Sequence, residues 1–340
     1  MNVFSGGSRV SPGGTGSAKS SDVDPVSAGV PQGSVQTMSY TLDPENPCTI
    51  TVENNTVTVR GKQSDVLTGV MEGYPKMRTT YEQLGDDLVF TLTPKNDRFD
   101  RKYGIFYIID KNNYKNKVYI ELTENVVKLP DVSGLVQGNE NAVSSPKTLS
   151  ADAVAKYITL DGSRGNIPQV LKEIKKISDS ICEGIDSDYE KLRAIMYWTA
   201  ENIYYDHPAY NKGIPQDCLS LEYMLNNKSS VCGGYSNMTS ALCAAQGIRC
   251  YNIMGRGITD EQNFLQNLQG LFHEWNIAEI DGRRIIVDSG WTSTNSFRTD
   301  GTFSSNPMSY GYFDMSPEMF SLTHKAESAE YRDYFALLED

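Results

Sequence analysis

Alternating apolar and polar positions dominate the chain from residue 38 to about 130. Residues 49–52 and 56–59 alternate around Asn54-Asn55, which is a hairpin signal. Three more runs have strand character, at 88–92, 105–109 and 118–122. Several short strands separated by turn signals predict an all-β sandwich of Ig-like type over 38–130. We expect it to be a structural module, with surface or glycan binding as the alternative role.

Helical periodicity replaces this alternation in the second half. Between the two, residues 131–150 are rich in Gly, Asn, Ser and Pro, which indicates a linker. Pro168 opens a helical run whose apolar face holds Val170, Ile174, Ile177 and Ile181. Residues 187–190 read as a capping box. The buried stripe that follows it comprises Leu192, Met196, Thr199 and Ile203.

Strand-like segments come after these helices. A short helix is predicted near 219–226, and strands are predicted near 248–254, His273 and Asp288. Helices first and strands afterwards predict an α+β domain over 151–340.

The net charge of the chain argues against two classes of binding partner. The chain has 340 residues and a net charge of −12. Nucleic acid and anionic membranes attract clustered Lys and Arg, so this acidic balance argues against both as partners. No run approaches the roughly 18 apolar residues of a membrane span.

The composition of residues 1–37 predicts a flexible Gly/Ser-rich leader. It has no basic start followed by an apolar core, so it is not a signal peptide. A long flexible leader before a β-rich domain is typical of a tethered surface protein, and we therefore expect an extracellular or cell-surface location. A cytoplasmic protein and a remnant of cloning are the alternatives.

Six cysteines and three histidines are the candidates for metal or thiol chemistry. The cysteines lie at 48, 182, 218, 232, 243 and 250, and the histidines at 207, 273 and 324. The absence of a CxxC pair argues against structural zinc, and six cysteines in a chain this long do not make a disulfide scaffold. We expect no metal and no cofactor, and we assign His207 and His324 to structure.

Cys232 stands in a Val-Cys-Gly-Gly-Tyr stretch before a helix-like run, 235–246, that stops at Gly247. It is therefore predicted in the first turn of a mostly buried helix, where unpaired N–H groups and the helix dipole favour an anion. A thiolate is such an anion and is the nucleophilic form. Gly233 and Gly234 leave room for a substrate carbonyl. The alternative is a buried structural cysteine before a Gly-rich turn.

A second predicted hairpin brings a histidine and an aspartate together. Asp281-Gly282 separates two apolar runs, which is the strongest short-range hairpin signal. With a two-residue turn, 280 pairs with 283, so 275 faces 288 and 273 faces 290. His273 and Asp288 then share a face as diagonal neighbours, about 7–8 Å apart at Cα. A slip of one residue in the register would send Asp288 to the other face.

These three residues make a nucleophile, a base and an orienting group. Cys232 supplies the sulfur, His273 takes its proton, and Asp288 fixes the imidazole tautomer and stabilises its charged form. A thiolate–imidazolium ion pair near neutral pH becomes possible. Taken singly, His273 could be an ordinary strand residue and Asp288 a turn former.

Three short motifs around Cys232, His273 and Asp288, taken in their order along the chain, resemble the transglutaminase-like superfamily, whose pattern is VCxGY, HAWN and DPTW. This chain has VCGGY at 231–235, HEWN at 273–276 and DSGW at 288–291. Tyr205-Asp206 is similar to the YD that precedes the cysteine in bacterial members. The segments 242–248 and 312–324 are similar to their LCxxxGI and closing YFxxSxEEM…H segments. The resemblance spans about 190–325 and leaves residues 1–150 outside.

The resemblance implies a papain-like α+β core with thiol chemistry on amides, in which water or an amine resolves an acyl-enzyme. Members include peptidases, transglutaminases, deamidases and proteins without known activity. It also implies Tyr205 as an oxyanion donor, with a core aromatic as the alternative role. The backbone N–H of Cys232 is a candidate donor by its position. Trp275 could wall the site, shield the His–Asp pair or belong to the core.

Two departures from the family pattern leave the three residues intact: Glu274 for the usual Ala, and Ser289-Gly290 for Pro-Thr. Glu274 is predicted on the hairpin face opposite His273, so we expect it to have little effect on proton transfer. The long stretch at 256–271 before His273 is a candidate lid or specificity loop.

The sequence therefore predicts an enzyme that acts on peptide or protein amides, as a cysteine peptidase, an amidase or a transglutaminase. Its expected partner is a peptide or protein substrate, with cell-wall and surface proteins as candidates. The competing interpretation is a non-catalytic surface protein in which the sandwich binds and the second domain is a scaffold. An intact Cys, His and Asp set favours the enzyme.

Overall fold

The chain runs from a half built of strands into a half where helices come first and a sheet follows. A computed structural model describes residues 34–40, 47–62, 67–96, 98–110, 115–123, 125–258 and 270–338. Residues 1–33 of the predicted leader and residues 259–269 of the candidate lid lie outside this described part of the chain. No helix in the described part combines the length and apolar character needed to cross a membrane.

Two antiparallel sheets make up the first half. The strands are β1 (Gln36–Tyr40), β2 (Cys48–Glu53), β3 (Thr56–Lys62), β4 (Gly69–Tyr74), β5 (Met77–Leu84), β6 (Asp87–Pro94), β7 (Tyr103–Ile109), β8 (Lys115–Thr123) and β9 (Val126–Lys128). One sheet has the order β1-β2-β3-β6-β5, and the other has the order β4-β7-β8-β9. The runs predicted at 88–92, 105–109 and 118–122 lie in β6, β7 and β8, so these strands are confirmed. The Ig-like type stays a prediction.

The turn between β2 and β3 follows from its two asparagines. Asn54 and Asn55 have φ angles of 48° and 60°. A type I′ hairpin turn needs both central residues in this left-handed region, which asparagine tolerates better than most residues. Glu53 therefore pairs directly with Thr56, and the predicted hairpin is confirmed.

Helices dominate the next part of the chain. They are α1 (Ser133–Val143), α2 (Ala151–Ile158), α3 (Ile167–Ile181), α4 (Asp188–Asn202), α5 (His207–Asn211), α6 (Leu221–Asn227), α7 (Cys232–Ala245), α8 (Ser289–Thr292) and α9 (Pro317–Phe320). Short 3-10 turns lie at Gln216–Leu219, Tyr310–Tyr312 and Phe335–Leu338. α4 begins where the capping box predicts, although the Ser187 side chain makes no capping hydrogen bond. The buried stripe predicted along α4 is confirmed.

The remaining strands form two further sheets. They are β10 (Lys147–Thr148), β11 (Tyr204–Asp206), β12 (Ser229–Ser230), β13 (Arg249–Gly257), β14 (Leu271–Ile280), β15 (Arg283–Val287), β16 (Ser296–Phe297), β17 (Phe303–Ser304) and β18 (His324–Tyr331). The central sheet has the order β10-β18-β13-β14-β15, and a smaller one has the order β12-β11-β16-β17. Helices before a mostly antiparallel sheet give the predicted α+β organisation.

The stretch predicted as a linker, 131–150, holds helix α1 and strand β10. Asn139 of α1 donates to the carbonyl of His324 at 2.9 Å and accepts the N–H of Ala326 at 2.7 Å. This amide satisfies backbone groups of β18, so α1 is fastened to the central sheet. The segment is therefore not the irregular connection that its composition indicates, and the predicted domain boundaries stay predictions.

Helix α7 lies at the centre of the second half. Its side chains are buried from Cys232 through Cys243, and it packs against α3, α4, β13 and β14. The sequence predicts one apolar face here, yet small and polar residues are also buried because neighbours cover every side of the helix. Gly247, with a φ of 75°, ends this segment as predicted.

Candidate active site

Cys232 is the first residue of α7. Val231 precedes it in extended conformation as the N-cap, and the first turn closes with the N–H groups of Gly234 and Tyr235 donating to the Val231 carbonyl. The N–H of Cys232 itself has no acceptor within the helix, because the first N–H groups of a helix never do. The predicted position of the sulfur at the positive end of a helix is confirmed.

The hairpin of β14 and β15 follows the predicted register near its turn. Ile280 pairs with Arg283, and the pairing runs on to Asn276 opposite Val287. Asp281 has a φ of 51° and the glycine after it a φ of 75°, as a two-residue turn of this type requires.

The hairpin pairing ends before Asp288. Asp288 leaves the strand and becomes the N-cap of α8, where its Oδ1 accepts the N–H of Trp291 at 2.9 Å. The predicted pairs 275–288 and 273–290 are therefore wrong, because the helix cap draws this aspartate out of the ladder. The side chains nevertheless meet: His273 Nε2 lies 2.7 Å from Asp288 Oδ2.

Burial and charge act against each other in this pair. Burial is the largest influence on the pKa of His273 and lowers it, but the charge and hydrogen bond of Asp288 outweigh it, so the pKa is raised. Burial likewise acts to raise the pKa of Asp288, but the charge of His273 and hydrogen bonds from two imidazoles hold it well below its usual range. An imidazolium–carboxylate pair is thus favoured through neutral pH.

The thiol of Cys232 acts on the same ring. Its hydrogen bond and charge are further influences that raise the pKa of His273. Since Asp288 holds Nε2 of the ring, Nδ1 is the nitrogen left for the thiol. His273 therefore contacts the Asp288 carboxylate directly and lies within electrostatic range of the Cys232 thiol.

His324 reaches the same carboxylate, which the sequence interpretation missed. Its Nε2 lies 3.1 Å from Asp288 Oδ2, and the side chain is fully buried. Its position in the closing segment of the family pattern was the available signal, but nothing in local periodicity places residue 324 beside residue 288.

Two tryptophans cover the imidazoles. Trp275 is 2% exposed and its ring lies 5.9 Å from that of His273, which fits a shield of the His–Asp pair better than a wall open to substrate. Trp291 lies 5.1 Å from the His273 ring and 4.3 Å from the His324 ring, and it is only partly buried. Trp291 is therefore the tryptophan that combines contact with the imidazoles and partial exposure.

Tyr205 lies in β11, where it pairs with Ser230 of β12 and Ser296 of β16. Burial raises the pKa of its hydroxyl, and the charge of Cys232 is the next contribution. The hydroxyl is therefore within electrostatic range of the sulfur. Its role as an oxyanion donor stays a prediction. His207 is exposed beside it, with ring centroids 5.2 Å apart.

Glu274 is closer to the nucleophile than its hairpin face suggests. Its Oε1 lies 3.2 Å from where a Cβ on Gly233 would stand, and its Oε2 lies 3.9 Å from Arg332 Nη2. Oε2 has no hydrogen-bond partner among the described residues, and burial raises the pKa of the carboxyl. A buried carboxyl thus adjoins the residue after Cys232; the expected small effect on proton transfer stays a prediction.

All six cysteines are free and buried, so Cys232 is available for thiol chemistry. Burial raises the pKa of Cys48 and of Cys218 to about 12.

Ligand atoms of His273, Asp288 and His324 lie within 4.8 Å of one another, close enough to hold a cation. The hydrogen bonds of 2.7 and 3.1 Å already account for their convergence.

Comparison with curated proteins finds kyphoscoliosis peptidase of mouse (Mus musculus) and of human (Homo sapiens). The mouse protein is 26% identical over 196 residues and the human protein 27% identical over 194 residues. Each match covers 56% of this chain and 28% of the relative's length. The chain therefore spans well under half of the curated relatives it matches.

Among solved structures, one similar protein is a candidate cysteine protease from Cytophaga hutchinsonii. It is 13% identical, with 75% of each chain covered and a TM-score of 0.29. A likeness of that strength carries no argument about fold or function.

The family comparison agrees with the motifs and their order. The model of the transglutaminase-like superfamily matches residues 175–295. This range contains the helix of Cys232, the strand of His273 and the cap at Asp288. Residues 175–295 are therefore similar to the transglutaminase-like superfamily.

Proposed function

We propose that this protein is a thiol-dependent enzyme that acts on amide bonds of peptides or proteins through Cys232, His273 and Asp288. The observation that carries the proposal is the placement of one buried imidazole. His273 Nε2 lies 2.7 Å from Asp288 Oδ2, and Cys232, the first residue of α7, contributes to the raised pKa of the same ring. A structural cysteine would need neither neighbour.

In the proposed reaction, Cys232 gives its proton to Nδ1 of His273, and the sulfur attacks the amide carbonyl carbon. The tetrahedral intermediate collapses, the C–N bond breaks, and the leaving amine takes the proton from His273. An acyl-enzyme remains, as a thioester on Cys232. Water or an amine then attacks it after His273 removes a proton, and the thiol is restored.

The negative oxygen of the intermediate needs donors close to the sulfur. The backbone N–H of Cys232 is one candidate, since it has no acceptor within α7. The hydroxyl of Tyr205 is the second, supported by its electrostatic coupling to Cys232. These two groups belong to different elements, α7 and β11.

Hydrolysis is the version of this reaction that the relatives favour. The matched proteins are named peptidases, and the separate match to the family model includes the segment with Cys232. Cleavage of a peptide or protein is therefore the finer proposal, with transfer to an amine as the other outcome of the same acyl-enzyme.

The two-sheet region and the cellular location belong to the proposal as well. We assign the sheets of β1–β9 to an Ig-like structural module and the protein to the cell surface or exterior. The leader's composition is what supports the location. A non-catalytic surface protein remains the competing function, and an inert Cys232 would favour it.

Two assays with a common control test the proposal. Purified protein is incubated with a peptide library, and cleavage is followed by mass spectrometry; in parallel, casein and dansylcadaverine report amine transfer. We expect cleavage or transfer with the wild type and neither with Cys232→Ala, since removal of a nucleophile leaves little catalysis. Activity that survives in a folded Cys232→Ala protein would overturn the proposal.

A further inference from the structure

One carboxylate oxygen serves two histidines in this site. Asp288 Oδ2 lies 2.7 Å from His273 Nε2 and 3.1 Å from His324 Nε2. The other oxygen, Oδ1, accepts the N–H of Trp291 at 2.9 Å. Asp288 therefore faces three donors, and two of them are imidazole nitrogens that converge on a single oxygen.

The tautomer of His324 follows from its contact with Asp288. Asp288 is held as a carboxylate and has no proton to give, so the Nε2 of His324 that faces it must carry the hydrogen. Nδ1 lies 2.9 Å from Thr323 Oγ1, and this hydroxyl has two acceptors within reach, Nδ1 and the Phe320 carbonyl at 3.4 Å. Burial lowers the pKa of His324 to about 4, which keeps the ring neutral, and the nearby charged groups that act on it are Asp288 and His273.

Aromatic packing around His324 does not require a nitrogen. Phe320 stacks on the ring with centroids 3.8 Å apart and an interplanar angle of 14°. The rings of Trp291 and Trp275 lie at 4.3 and 5.1 Å. A phenylalanine at 324 would keep such contacts. What the imidazole adds is the N–H that points at Asp288.

We propose that His324 is a positioning residue, whose Nε2–H holds the carboxylate of Asp288 in the orientation that engages His273. The inference rests on the proposed function, because positioning matters only if His273 activates Cys232. Without His324, Oδ2 would be held from one side only. With His324 present, Oδ2 of Asp288 is fixed between two imidazole rings. The hydrogen bond from Oδ2 to His273 then keeps its direction as the His273 ring gains and loses a proton.

Iodoacetamide is the probe, because alkylation of Cys232 reports the activated thiol and needs no known substrate. The second-order rate near pH 6 is compared in wild type, His324→Phe and His324→Gln. Phenylalanine keeps the ring without a donor, whereas the glutamine amide can return an N–H toward Asp288. We expect alkylation to slow at least about tenfold in His324→Phe and to recover to within about threefold of wild type in His324→Gln.

Two further variants separate positioning from general stability. Ile50→Ala removes a fully buried side chain in β2, in a sheet that contributes none of the site residues, and alkylation should stay at the wild-type rate in the folded protein. Thr323→Val removes only the hydroxyl that faces His324 Nδ1, and it is expected to slow alkylation by about threefold. Thr323→Val keeps the test decisive even if His324→Phe does not fold.

The outcomes distinguish this inference from the proposed function. If Cys232 of the wild type is alkylated no faster than an ordinary thiol, the proposed function itself is wrong. An activated wild type with unchanged His324→Phe and Thr323→Val would overturn only the positioning role. Equal slowing in His324→Gln and His324→Phe, or slowing in Ile50→Ala, would also overturn it, since packing or stability would then explain the effect.

Discussion

Asp288→Asn is expected to lower turnover of an amide substrate by about 10³–10⁴, the effect typical of losing the orienting carboxylate of a triad. Two imidazole N–H groups converge on Oδ2, and the Trp291 N–H meets Oδ1. Asparagine has one oxygen and one NH₂ group. If the NH₂ faces the rings, His273 must move its proton to Nδ1 and can no longer accept one from the thiol. If the oxygen faces the rings, the NH₂ meets the buried N–H of Trp291.

The measurement is kcat/KM for the best peptide amide of the substrate screen, with circular dichroism to verify the fold. Asp314→Asn is the matched control, because Asp314 is a buried aspartate outside the site that bonds Tyr189 and Arg283. The control should stay within about threefold of wild type. An Asp288→Asn protein as active as the control would remove Asp288 from the mechanism.

Gly234→Ala is expected to destabilise the protein by at least about 3 kcal/mol, the upper end of the range for overpacking. A Cβ at this position would lie 1.8 Å from Ser230 Oγ and 2.4 Å from Ser230 Cβ. Ser230 is fully buried, and its hydroxyl donates to the Cys218 carbonyl at 2.6 Å. The methyl group therefore has to push apart β12 and the first turn of α7, the turn that presents Cys232.

Urea unfolding measures the free energy of unfolding of Gly234→Ala and of a control variant, in which the substituted glycine has open space around it. No heavy atom within 4 Å would meet a Cβ on Gly138, an exposed residue of α1, so Gly138→Ala should stabilise by about 0.5–1 kcal/mol. Ser230→Gly in the Gly234→Ala chain removes the clashing atoms and should restore part of the stability. A Gly234→Ala protein as stable as wild type would contradict this packing.

Local signals in the sequence were enough to predict the elements of the site. Asp281-Gly282 determines the register of β14 and β15, and the position of Cys232 follows from a helix that stops at Gly247. Such features depend on turn chemistry and periodicity within a few residues. They predicted the α+β order and placed His273 and Asp288 on neighbouring segments.

Features that depend on contacts between distant segments could not be predicted from the sequence. The pairing that was expected to continue past Val287 ends there because Asp288 caps α8. His324 joins Asp288 only through the fold of β18 beside β13, and Glu274 meets Gly233 only through the packing of β14 on α7. The helix inside the predicted linker was missed because its Gly- and Asn-rich composition hides contacts that Asn139 makes with β18.

The most direct test of the central claim is the pH dependence of iodoacetamide alkylation at Cys232, read by peptide mass mapping in wild type and His273→Ala. Burial acts to lower the pKa of His273, but Asp288 outweighs it and the pKa is raised, so an imidazolium is favoured through neutral pH. In the proposed mechanism this cation faces the sulfur of Cys232. We therefore predict fast labelling well below pH 8 in the wild type and its loss in His273→Ala. Cys48 and Cys218, whose burial raises the pKa of each thiol to about 12, serve as unreactive references in the same digest. An ordinary thiol profile at Cys232, the same in both proteins, would contradict an activated Cys–His pair.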